Sequence, residues 1–117
     1  MNDFQFGEIN IVCTDIDKSL KFYTDVLQFK LSSENDGAIQ LVGVGQKFLL
    51  VPIAFKKVTD EPYCSKAQIS FDLYVKDIKK AYNYFKEKNV KFEKDLTEGK
   101  DNFFIRDPDG LVIEIME

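Results

Sequence analysis

Histidine is missing from all 117 residues. It is the commonest transition-metal ligand and the one side chain that titrates near neutrality unaided. Its absence excludes iron oxygenases built on two histidines and a carboxylate, and zinc sites with nitrogen ligands. Tryptophan is missing too, and cysteine is limited to Cys13 and Cys64. Their spacing matches no metal motif, and two cysteines make no disulfide framework. Cys13 lies in an apolar run and reads as a small buried hydrophobe; a Cys13–Cys64 bridge stays open. There is no surplus of positive charge: the net charge is −4. That argues against a nucleic-acid partner, which needs a basic face. Pairs such as Lys56-Lys57 and Lys79-Lys80 read as solvated faces. No apolar run approaches the ~20 residues that cross a bilayer. The stretch Met1-Asn2-Asp3-Phe4-Gln5-Phe6 has no signal-peptide pattern. The expectation is a cytoplasmic protein with no membrane partner.

What is present is ordinary in balance, with 44% apolar and 31% charged residues, so a packed core is expected. The length suits one domain of roughly 100–200 residues. Eleven Phe and five Tyr are many for that length and suit a filled core or a lined pocket.

An internal repeat organises the chain. Asp15-Ile16-Asp17-Lys18 matches Asp77-Ile78-Lys79-Lys80, Phe22-Tyr23 matches Tyr84-Phe85, and Gly37 matches Gly99. Two further residues inserted in the second copy pair Phe48–Val51 with Val112–Ile115, which sets Leu50 against Glu114. Each copy opens with an alternating strand. Ile9, Ile11 and Cys13 share one face, as do Phe71, Leu73 and Val75. A helix follows, with Asp15 and Asp77 placed to cap the first free N–H groups. Leu20, Tyr23, Val26 and Leu27 form its apolar stripe in the first copy; Ala81, Tyr82, Phe85 and Val90 form it in the second. Three short strands complete each copy, near Lys30–Glu34, Ala38–Val44 and Gln46–Ile53, then near Lys91–Asp95, Asp101–Arg106 and Leu111–Met116. Asp107-Pro108-Asp109-Gly110 is a tight turn that makes the last two a hairpin. The expected fold is α+β, one domain over 1–117. It holds two β-α-β-β-β modules, about 5–53 and 67–117, joined by a linker over about 54–66.

Asp15, Ser19 and Phe22-Tyr23, then Leu27-Gln28-Phe29 (Gln28 standing for a usual Gly), then Asp107-Pro108-Asp109-Gly110 with Ile113-Glu114, carry a resemblance. Together they resemble the vicinal oxygen chelate superfamily of glyoxalases, bleomycin-resistance proteins and extradiol dioxygenases. The resemblance covers nearly the whole chain. It implies curved mixed sheets that form a cup, and a homodimer. It also implies metal-ligand positions on the first and last strand of each module: Glu8, Ser70, Glu114 and Leu50, or Leu49 if the register slips by one. Leucine cannot ligate and serine does so poorly. Glu8 and Glu114 are then the ligand-competent pair, suited at most to loosely held magnesium, calcium or manganese. No tightly bound transition metal or other cofactor is expected.

Strand parity puts Glu8, Asn10, Asp72, Tyr74 and Glu114 on the cup side, and Ser70 at one of the carried-over positions. Such an acidic, partly aromatic surface suits a cationic or aromatic small molecule. The leading expectation is therefore small-molecule binding of the bleomycin-resistance type. A second is an isomerase or lyase with Glu114 as general base, its pKa raised by burial. A third is an interaction module whose cup is filled by its own side chains.

Overall fold

The computed structural model describes residues 3–58 and 61–117. Met1 and Asn2, which begin the stretch without a signal-peptide pattern, and residues 59 and 60 of the expected linker lie outside the described residues. The chain forms two compact units, Met1–Lys57 and Val58–Glu117.

The first unit runs β1 (Ile9–Val12), α1 (Ile16–Lys21), β2 (Lys30–Asn35), β3 (Ala38–Gly43) and β4 (Gln46–Val51). Its sheet has the order β1-β4-β3-β2, with β1 parallel to β4 and the other pairs antiparallel. The second unit runs β5 (Phe71–Tyr74), α2 (Ile78–Glu87), β6 (Lys91–Lys94), β7 (Asn102–Arg106) and β8 (Val112–Met116), in the equivalent order β5-β8-β7-β6. The α+β repeat of two β-α-β-β-β modules is the observed architecture.

Both aspartate caps form. Asp15 Oδ1 accepts from the Asp17 and Lys18 N–H groups, and Asp77 Oδ1 from that of Lys80. Glu117 adds a cap the sequence did not suggest, its Oε2 accepting from the Ile78 N–H at 2.9 Å. After Lys21 the first helix widens into a π-helical turn over Phe22–Val26, with Leu27 N–H donating to the Phe22 carbonyl. That turn brings both Phe22 and Tyr23 into the core.

Each core lies on the helix side of its sheet. In the first unit Tyr23, Phe29 and Phe48 form a run of rings, with Leu41 and Leu50 fully buried. In the second, Tyr82 and Phe85 from α2 meet Phe103 from β7, above buried Ile105, Ile113 and Ile115. Cys13 is buried, Cys64 is exposed, and both are thiols, so the open bridge is not made.

The turns set the register. Asp36-Gly37 and Val44-Gly45 are two-residue hairpin turns with positive φ at both positions. In the second unit the Asp107–Gly110 turn is tied by its own first residue. Asp107 Oδ1 accepts from the Asp109 and Leu111 N–H groups, and its N–H donates to the Leu111 carbonyl. Glycine is required at 110: φ is +91°, and a Cβ there would stand 3.1 Å from the Val58 carbonyl oxygen. This connection is one residue longer than that of the first unit, since Val42 pairs with Lys47 but Arg106 with Val112. The extra residue corrects the sequence alignment. Asn10 pairs with Leu49 as Asp72 pairs with Glu114, so Leu49, not Leu50, is the counterpart of Glu114. Leu50 points into the core.

Val58 falls at the start of the second unit, and its N–H donates to the Asp109 carbonyl at 2.8 Å.

Candidate functional site

The face of the second sheet opposite α2, called the distal face below, carries most of the expected site. Alternation puts Phe71 and Leu73 toward the core and Asp72 and Tyr74 away from it. Asp72 lies directly beside Glu114, and Glu114 beside Phe104 on the next strand. In the neighbouring row Tyr74 lies beside Met116, and Met116 beside Asn102. Glu114 is half-buried, and its Oε2 accepts from Asn102 Nδ2 at 2.9 Å. Asp72 is exposed, and Tyr74 is 76% exposed. Two carboxylates side by side repel one another, so a cation brought to this row gains from both.

Ser70 stands just before β5, and its Oγ is 2.5 Å from the Tyr63 hydroxyl. The Tyr63 ring lies against Phe104, with centroids 5.4 Å apart. The segment around Tyr63 is therefore a strap on the distal face, held by its backbone. Its N–H donates to Glu93 Oε2 at 2.9 Å, and the Glu61 carbonyl accepts from Arg106 Nη2 at 2.9 Å.

Arg106 is the hub. Its side chain is 2% exposed. Nε and Nη2 both donate to Glu93 Oε1, and Nη1 to the Gly110 carbonyl at 2.7 Å. Glu93 reaches it because it is the extra residue of a bulge between Phe92 and Lys94. The Tyr63 N–H, then the Arg106 guanidinium and the nearby Lys91 charge, hold the Glu93 carboxyl below its ordinary 4.5, against the opposing effect of burial.

Sequence reasoning missed Tyr63, Glu93, Asn102, Phe104 and Arg106. One signal was available for the hub: Arg106 is the only arginine beside fifteen lysines. Arginine is the residue suited to a buried, multiply bonded cation.

In the first unit, Glu8 is exposed and precedes β1, and Asn10 is exposed within it. The row equivalent to Asp72–Glu114–Phe104 is Asn10–Leu49–Gln40, without a carboxylate. The carried-over ligand positions do not fit a resident metal. Leu49 has no donor atom, Ser70 is engaged by Tyr63, and Glu114 is engaged by Asn102. Among the described residues no three of His, Cys, Asp or Glu stand together as a cation site. Also among the described residues, no helix is long and apolar enough to cross a membrane.

Solved structures share this fold. Glyoxalase I of Leishmania major, described as trypanothione-dependent, is 23% identical with a TM-score of 0.77, over 98% of this chain and 87% of that one. A glyoxalase family protein from Enterococcus faecalis is 19% identical, with a TM-score of 0.74 over 97% of each chain. A lactoylglutathione lyase from Agrobacterium tumefaciens is 20% identical, with a TM-score of 0.69 over 100% of this chain and 96% of that one. At these identities the likeness is one of fold. No curated protein sequence matches the chain. The sequence model of one family does match it, over residues 5–115. With the doubled module and its closing turn in place, the chain belongs to the Glyoxalase/Bleomycin resistance protein/Dioxygenase superfamily.

Proposed function

We propose that this protein binds a cationic or aromatic small molecule on the distal face of its second sheet, without a resident transition metal. The observation that carries the reading is the in-register pair Asp72 and Glu114, with Tyr74 on the adjoining row. Paired carboxylates supply charge attraction, and an exposed tyrosine ring beside them supplies stacking and cation–π contact. Asn102 fixes one Glu114 oxygen, so the carboxylate is oriented before a ligand arrives.

A phenanthridinium dye, planar and cationic, tests this by fluorescence titration. Saturable binding should weaken with salt. Asp72→Asn and Glu114→Gln should each weaken it about three- to tenfold, roughly 0.7–1.4 kcal/mol. Binding that ignores both substitutions removes the proposal. Glu114→Gln also separates the reading from catalysis with Glu114 as base: a catalyst keeps its ligand and loses turnover, whereas a binder loses affinity.

A further inference from the structure

The Tyr63 side chain is held as a ligand would be. Its ring rests on Phe104, and its hydroxyl is bonded to Ser70, two residues before Asp72. Phe104 in turn lies beside Glu114. The ring thus occupies a subsite bordering the two carboxylates. Its tether is separate from its contacts. The strap is fixed through main-chain atoms, by the Tyr63 N–H to Glu93 and the Glu61 carbonyl to Arg106. Rotation about the Tyr63 Cα–Cβ bond would vacate the subsite and leave both anchors intact. What would be exposed is an aromatic floor, Phe104, and a hydroxyl at its edge, Ser70.

We propose that Tyr63 is the internal occupant of a ring subsite formed by Phe104 and Ser70, and that the external ligand of this subsite is an aromatic ring bearing a hydroxyl group. The proposal rests on the distal face being the ligand-binding face, and it names the class of ligand. Tyr63 then acts as a side-chain gate. A hydroxyaryl ligand makes the same stack and the same hydrogen bond, so it replaces the tyrosine contact for contact. A plain hydrocarbon ring makes only the stack and leaves the Ser70 hydroxyl without that partner.

The test removes the occupant and returns it in pieces. Tyr63→Ala is titrated with 4-methylphenol, the excised side chain, and with toluene, following backbone amide shifts. 4-Methylphenol should shift the Ser70 and Phe104 amides and bind at least about fivefold more tightly than toluene, consistent with the net value of one hydrogen bond. Adding Ser70→Ala should bring that ratio close to one. In the unaltered protein 4-methylphenol should shift the same amides at higher concentration, because Tyr63 competes. This arm stands even where Tyr63→Ala fails to fold. Equal binding of the two compounds, or no shift at Ser70 and Phe104 in either protein, overturns the proposal. The outcome is independent of the dye titration: loss of dye binding in Asp72→Asn leaves the Ser70-dependent preference readable, and the reverse also holds.

Discussion

The two units share a backbone plan down to a bulge at the same place, yet they fill it differently. In the first unit the extra residue of the bulge lies between Leu31 and Ser33 and is the exposed Ser32; in the second it is Glu93. The strand position that holds Val42 in the first holds Arg106 in the second. The row that reads Asn10, Leu49, Gln40 in one reads Asp72, Glu114, Phe104 in the other. The lesson concerns where a duplicated fold places its differences. The core faces stay apolar in both, while the distal face of the second gains a carboxylate pair, a buried ion pair and a strap.

The sharpest way to break that comparison is at the hub. Arg106→Met would leave Glu93 and two carbonyls without their cation, and should lower unfolding free energy by about 3 kcal/mol in urea melts. Val42→Met, at the equivalent position, should fall within about 0.5 kcal/mol of the parent. Similar losses at both sites would show that the two copies do not differ energetically here.

The repeat itself was legible because its signals are local. Capping by Asp15 and Asp77, strand alternation and the Asp107–Gly110 turn depend on neighbours a few residues away. What the sequence concealed depends on one-residue register and on distant partners. A single extra residue in the β7–β8 connection moved the counterpart of Glu114 from Leu50 to Leu49. Nothing in the run Glu61-Pro62-Tyr63 announces a strap, since its anchors come from residues 93 and 106 and two of its own bonding groups are main-chain atoms. The placement of Asp72, Tyr74 and Glu114 on the distal face follows from parity alone. The occupation of Ser70 by Tyr63 does not.

The next largest effect belongs to the first unit. Gly43 has the Phe29 ring over it, so that an added Cβ would stand 2.1 Å from Phe29 Cδ1. Phe29 is itself stacked on Phe48 and cannot yield freely. Gly43→Ala should therefore cost about 2 kcal/mol, read as a fall in the urea midpoint. A neutral result would mean that this core is looser than that of the second unit.

The pH dependence should also differ between the copies. Glu93 is depressed by its partners, so its contribution is complete above the ordinary glutamate value of 4.5 and is lost as pH falls through the lower folded value. Stability measured from pH 5 down to about pH 3 should thus decline more steeply for the parent than for Glu93→Gln. Parallel curves would show that the ion pair adds nothing to acid stability.

The smallest effect compares the two helix exits. Gln28 sits at φ +63° and Asn89 at +57°. Asparagine tolerates this conformation and glutamine does so poorly. Gln28→Gly should raise stability by about 0.5–1 kcal/mol, whereas Asn89→Gly should leave it within a few tenths. Equal responses would mean that the exits are equally strained.

The hub has one more consequence, for how the sequence drifts over evolutionary time. Two of its acceptors are the main-chain oxygens of Glu61 and Gly110. Every amino acid supplies a carbonyl, so side chains at position 61 are free to vary while the strap stays fastened. The glutamate and arginine enjoy no such freedom. Loss of either alone strands the other's charge, so in descendants of this chain the two should persist together or vanish together, with Tyr63 set loose in lineages that lack them.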